Sequence, residues 1–283
     1  MTWQVMSGAR RLGYPPAMTS FPALLRRWRA TRQLTQASLA ADAEVSQRHL
    51  SCVESGKARP SRQLVLVLGS ALELDLRDRN ALLLAAGFAP VYAETPLAAA
   101  EMSPLRTAID FLLTRQEPYG AVVVDRRWDV ITMNQGAARL MRALMPEPPS
   151  DPIAATNLVH TLFHPDGLRP VIVNWQEVAW SIVARLHREV ELLPDDPHRA
   201  GLLSAIARYP GVPSRGRVEH IRPQPFLTLH LRRGSLDLRL FTVLTSFGTP
   251  LDVTAQELTV ETFFPADPES DAALRALAAD QAR

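Results

Sequence analysis

Residues 35–60 constrain this chain more than any other stretch, because their start and stop signals leave room only for two short helices around a tight turn. Thr35 reads as an N-cap, and Leu39 and Ala40 follow it at core spacing. Ser46 reads as a second N-cap, followed by Leu50 and Val53. Gly56 then ends the second helix, at a position where the backbone turns left-handed. Gln47, Arg48, Ser51 and Cys52 share the face opposite Leu50 and Val53. A polar helix of this kind fits the major groove of DNA, where Gln pairs with adenine and Arg with guanine in bidentate fashion. These four residues are the expected base contacts. Gln36 at the start of the preceding helix, Ser46, Lys57 and Arg59 are the expected phosphate contacts. The alternative is a helical module of the same shape that contacts protein.

Charge supports the first reading. Residues 1–90 hold 12 Lys or Arg against 6 Asp or Glu, whereas residues 91–283 hold 19 against 23. A basic first third on an acidic remainder suits a double-stranded DNA module joined to something else. The hydrophobic fraction of 47% excludes a disordered chain. The single Cys52 excludes an intramolecular disulfide framework and fits a cytoplasmic setting. No apolar run reaches the roughly 18–20 residues a membrane helix needs.

The boundaries follow from periodicity and punctuation. Residues 1–20 read as a disordered arm or as sequence preceding a start at Met18. Residues 21–88 form an all-α module of five helices. Phe21, Leu24, Leu25 and Trp28 give the first its apolar stripe, and the last two follow Ser61 and Asp75. Residues 89–103 read as a linker. Residues 104–265 form a second, α+β module, and 266–283 a C-terminal helix or tail. Strands are expected at 119–125, 128–134, 226–232, 235–246 and 254–263, giving a five-stranded antiparallel sheet. Helices are expected at 104–115, 135–144, 175–191 and 198–207, with a loop at 146–152.

Several longer motifs carry a resemblance. Residues 35–60 resemble the helix-turn-helix of the XRE class, built like the lambdoid phage repressors. The stretches Val45–Arg62, Arg79–Tyr92, Glu117–Val130, Leu162–Gly167, Asn174–Ala179 and Ser246–Thr254 resemble the MmyB-like regulators. Together they span about residues 20–265. The resemblance implies a dimeric bacterial transcription factor with a lambda-repressor-like head and a PAS-like C-terminal domain that binds a small apolar ligand, with a fatty acid as candidate. In a PAS-like domain with helices over one sheet face, the expected pocket lining is Phe111, Trp128, Trp175, Trp180, Phe226 and Phe241, with Tyr119 and Asn134 as polar handles. Cys52 departs from the larger polar residue that phage repressors often carry there. That puts base reading at this position in doubt and leaves a redox role open.

Catalytic and metal chemistry find little support. The chain has no Gly-x-Ser-x-Gly, Walker A or Gly-x-Gly-x-x-Gly motif. His160 and His164 stand four apart, but Pro165-Asp166-Gly167 breaks the helix and no His-Glu-x-x-His is present. Asp195-Asp196 and Arg232-Arg233 read as loop and turn charges. The expectation is a regulator that is not an enzyme and carries no metal or cofactor other than its ligand.

Overall fold

The computed structural model describes residues 19–192, 196–213 and 225–279. The expected N-terminal arm up to residue 18, and Asp195, lie outside them.

The first module contains α1 (Phe21–Thr31), α2 (Gln36–Asp42), α3 (Gln47–Glu54), α4 (Arg62–Ala71) and α5 (Leu76–Ala85). Thr35, Ser46 and Ser61 cap α2, α3 and α4, each accepting the backbone N–H three residues on at 3.0, 3.1 and 3.2 Å. Every helix is followed by a residue at positive φ: Gln33, Glu44, Gly56, Glu73 and Gly87. Three of the five are not glycine, and there the backbone bonds Leu34 to Arg29, Val45 to Ala40 and Leu74 to Gly69 close the helix end. Leu25, Leu39, Leu50, Leu68 and Leu82 meet in one core.

A polar lock joins the first three helices. Glu54 in α3 is 1% exposed and lies in the apolar stripe beside Leu50 and Val53. Arg29 of α1 donates to its carboxylate from Nε at 2.6 Å and Nη2 at 3.0 Å, and Gln36 of α2 donates at 2.7 Å. Burial works to raise the Glu54 pKa, but Arg29 and Gln36 win and hold it below the usual carboxylate range.

The second module contains α6 (Ser103–Arg115), β1 (Ala121–Val124), β2 (Val130–Met133), α7 (Gln135–Leu144), α8 (Pro152–Thr156), α9 (Leu158–Phe163), α10 (Trp175–Leu192), α11 (Pro197–Ile206), β3 (Leu229–Arg233), β4 (Leu236–Ser246), α12 (Val253–Glu257), β5 (Thr259–Pro265) and α13 (Pro268–Ala279). The sheet is antiparallel throughout, in the order β2-β1-β5-β4-β3. Helices cover both faces, not one. Ile109 and Leu113 of α6 pack on Ala121, Val123 and Val260. Val122 and Val124, on the opposite side of β1, join the larger core with Leu140, Val178, Leu186 and Leu274. Coverage on both sides explains why β1 reads as an unbroken apolar run.

Three further elements differ from the sequence reading. Residues 253–257 are helical and the last strand starts at Thr259, because the Asp252 side chain accepts the Thr254 N–H at 2.8 Å and starts a helix. The short helices α8 and α9 fill a region where no periodicity is visible. The helix α13 contributes Leu274 to the core against β4, β5 and α7, so it is part of this module. The segment 89–103 is tied to both modules. Asn80 donates to the Tyr92 carbonyl at 2.7 Å, and Thr95 donates its hydroxyl to Asp252 at 2.6 Å.

Candidate nucleic-acid interface and ligand cavity

The α3 face expected to read DNA is open. Ser46, Gln47, Arg48, Lys57 and Arg59 are exposed, and Ser51 and Cys52 are half-buried. Arg48, Lys57 and Arg59 have no hydrogen-bond or ion-pair partner among the described residues, which leaves three cations on one surface. Gln36 differs from its expected role: its amide donates to Glu54 at 2.7 Å, inside the module. Glu54 itself was missed. Its signal was a carboxylate inside an apolar stripe, with two basic residues, Arg26 and Arg29, on α1 ready to meet it.

The hairpin between β1 and β2 shapes the second module. The Asp125 carboxylate accepts the N–H groups of Arg127 and Asp129 at 2.8 and 3.0 Å, and its carbonyl accepts the Trp128 N–H at 2.9 Å. Trp128 then sits at φ 68°, where this type of turn usually places glycine. The geometry turns its ring inward, where it forms part of the wall of a cavity of about 250 Å³. Met141, Leu162, Val178, Ile182 and Phe263 make most of the wall apolar; Ser181, Arg185, Arg188, Thr242 and Glu261 are the polar exceptions. The Arg185 guanidinium stacks over the Trp128 ring at 4.3 Å, and its buried Nε has no hydrogen-bond partner. Burial pushes the Glu261 carboxyl up, against the pull of Arg185 and a hydrogen bond with Thr242.

Of the eight residues expected around a pocket, Trp128 and Phe226 line this cavity. The other six do not. Asn134 caps α7 and bonds Ala121, Leu113 and Tyr119 of the backbone, which uses up its amide. Tyr119 pairs with Asp271 and Arg275 at 2.6 Å each. Trp175 packs on Phe163 and under Arg169. Phe111 is 60% exposed on α6. Phe241 stacks on Phe264 at 5.4 Å, and Trp180 is half-buried on α10. Pocket membership depends on which sheet face a residue occupies, and that parity is not visible before register is known. His160 and His164 both meet Tyr209, with His160 Nδ1 2.8 Å from its hydroxyl.

The two modules meet through charge. Arg77 of α5 bonds Glu94 at 2.6 Å and Glu257 of α12 at 2.6 Å. Glu257 also takes Arg126 at 3.1 Å, Arg126 bonds Asp196, and Arg199 joins Asp196 at 3.2 Å to Glu189 at 3.3 Å. Glu189 lies 3.7 Å from Arg185, which reaches the cavity. Carboxylates and guanidiniums therefore alternate from the helix-turn-helix module to the cavity wall. Burial pulls the Arg77 pKa down, but Glu257 and Glu94 raise it above its ordinary value. Gln256, beside Glu257, accepts the N–H of Leu76 at 2.6 Å and so caps α5 from the other module.

Comparison with known proteins agrees with this division. The family model described as the MmyB-like transcription regulator ligand binding domain matches residues 105–277, and a helix-turn-helix domain model matches residues 21–82. No curated protein matches the chain. A solved structure described as an RNA-binding light-oxygen-voltage receptor is similar at 13% identity over 92% of this chain, with a TM-score of 0.24, and the match covers 64% of that receptor. With a two-helix DNA-reading head, a cavity-bearing sheet domain and a family match over most of its length, the chain belongs to the MmyB-like transcription regulators, a helix-turn-helix domain preceding the ligand-binding domain.

Proposed function

We propose that this regulator binds a two-fold symmetric operator as a homodimer in the cytoplasm, and that its PAS-like second domain senses a fatty acid or similar apolar ligand with an anionic head. The carrying observation is the cavity: an apolar wall with one buried donor, Arg185 Nε, that has no hydrogen-bond partner and lies 3.7 Å from Glu189. An acyl chain fills the apolar part, and its carboxylate satisfies Arg185. A Glu261 kept closer to neutral by burial competes less for that guanidinium. The cavity volume is below the roughly 300 Å³ that begins the drug-sized range, which favours a medium chain. Dimerisation is supported by an open apolar strip on β4, where Val243 is 42% exposed beside Phe241. Operator reading is supported by the free Gln47, Arg48 and Ser51 face.

The test is selection of genomic fragments by the purified chain at two salt concentrations, with and without decanoate. Arg48→Ala should weaken specific binding by roughly 1–3 kcal/mol and relax one base position. An unchanged motif would remove α3 as the reading helix, and binding insensitive to salt would favour a protein-contacting module. Decanoate binding that Arg185→Ala leaves untouched would refute the head-group assignment.

A further inference from the structure

Between the helix-turn-helix module and the sheet domain lies a second cavity, of about 230 Å³. Asp75, the N-cap residue of α5, with Arg77 and Asp78 of that helix forms one side; Asp125, Arg126 and Glu257 are on the other. The cleft lining carries five carboxylates, Asp75, Asp78, Asp125, Glu189 and Glu257, against three guanidiniums, Arg77, Arg126 and Arg199. Each guanidinium already has a carboxylate on both sides. Asp78 is not among those ion-pair partners. It keeps a strip of surface facing the cleft, is otherwise enclosed by protein, and has no hydrogen-bond partner among the described residues.

We propose that this cleft is a binding site for a small organic ammonium ion, held by Asp78. Excess negative charge disfavours an anion, and the polar lining disfavours a neutral apolar molecule. Among the described residues no group of His, Cys, Asp and Glu is arranged to hold a metal. An ammonium brings donors and a positive charge to a carboxylate that has no hydrogen-bond donor among the described residues. The volume limits the ligand to a few heavy atoms. Because one wall belongs to α5 and the other to the sheet domain, the bound cation ties the DNA-reading head to the sensor, independently of what fills the apolar cavity.

The ionisation of Asp78 gives the site a pH signature. Burial pushes its carboxyl up to about 7, with Asp75 at the N-cap of its helix raising it further, Arg126 from the β1–β2 turn opposing, and Asp196 and Glu257 raising it; Asp125, which lines the same cleft, is pushed by burial up to about 6. Binding requires the charged form and so is stronger above pH 7.

The experiment is calorimetric titration of the full chain with butane-1,4-diamine, with tetramethylammonium as a cation lacking N–H donors. The expected result at pH 8 is one saturable diamine site, at least tenfold weakened in Asp78→Asn and not reproduced by tetramethylammonium. In the wild-type chain the affinity should fall roughly tenfold from pH 8 to pH 6, as the ionised fraction of Asp78 falls. This readout does not depend on how the variant folds. No saturable binding, equal affinity in Asp78→Asn, equal binding of tetramethylammonium, or a flat pH profile would each overturn the proposal.

Discussion

Replacing Glu257 by Gln should loosen the helix-turn-helix module from the sheet domain while leaving both folded. Glu257 accepts from Arg77 Nε at 2.6 Å and Nη2 at 3.0 Å, and from Arg126 Nη1 at 3.1 Å. The side chains of Arg77, Glu257 and Arg126 are only 8, 16 and 15% exposed, so the interaction exceeds the roughly 0–1 kcal/mol of a surface pair. Breaking a buried pair costs about 3–5 kcal/mol when it strands a charge. Here it strands none, because Arg77 keeps Glu94 and Arg126 keeps Asp196. The effect should therefore be about 2 kcal/mol, or roughly 30-fold in the docking equilibrium. The Leu76 amide is the natural reporter, since as the first residue of α5 it has no intrahelical acceptor and donates across the interface to Gln256 at 2.6 Å. Its hydrogen exchange should accelerate about 30-fold in Glu257→Gln, with core amides such as Leu82 unchanged. Unchanged Leu76 exchange would refute the docking role. Equal acceleration at Leu82 would show a global loss of stability and refute the reasoning as well.

The remaining predictions concern stability and DNA. Glu54→Ala should destabilise the helix-turn-helix module by about 2–4 kcal/mol in denaturant unfolding, because three donors lose a buried acceptor; Arg29, 20% exposed, recovers some hydration and keeps the value from going higher. A loss under about 1 kcal/mol would contradict the lock. Lys57→Ala should weaken binding to every sequence and flatten the salt slope by about one unit, while an unchanged slope would take Lys57 off the phosphates. The folded Asp78 pKa of about 7 lies above its unfolded value of about 3.9, so the native state holds the extra proton. Stability is then lost as pH rises from about 4 through 7, by up to about 4 kcal/mol, a ceiling that residual solvent in the cleft lowers. Asp78→Asn should remove this slope between pH 5 and 8, and identical slopes in the two proteins would contradict it.

How much could be read beforehand depends on how local the signal is. Thr35, Ser46 and Ser61 were legible as caps because a hydroxyl one residue before an apolar period acts on its own turn. The left-handed stops at Gln33, Glu44 and Glu73 were not, since each is closed by local backbone bonds, Leu34 to Arg29, Val45 to Ala40 and Leu74 to Gly69, that no glycine announces in the sequence. The β-propensity of Val253 and Thr254 suggested a strand, but the Asp252 cap outweighed it locally. Among site residues, the α3 face followed from helical spacing alone. The cavity did not, because Trp128 enters it through a turn conformation unusual for tryptophan. Arg185 and Glu261 come from elements distant in sequence, and only the fold brings them into one wall.

The composition of the contact between modules bears on how sensing could reach DNA. A ligand shifts an equilibrium only by its unequal affinity for the two arrangements, and typical coupling between sites is about 1–3 kcal/mol. A broad apolar contact would hold the head too firmly for a coupling of that size to move it. Here the bonds across the boundary are polar: Arg77 to Glu257, Leu76 to Gln256, and Thr95 to Asp252. Each is worth about 0.5–3 kcal/mol, the same range as the coupling. The row of alternating charges also ends where a ligand would act, since Arg185 faces Glu189 on one side and the cavity on the other. A carboxylate that draws Arg185 away from Glu189 leaves Glu189 to compete for Arg199. That weakens the hold of Arg199 on Asp196 and, through Asp196, alters the share of Arg126 left for Glu257. The chain of alternating charges thus supplies a physical route by which occupancy of the cavity biases the docking of α5. The Leu76 amide makes it testable: decanoate should change Leu76 exchange in the wild-type chain and leave it unchanged in Arg185→Ala.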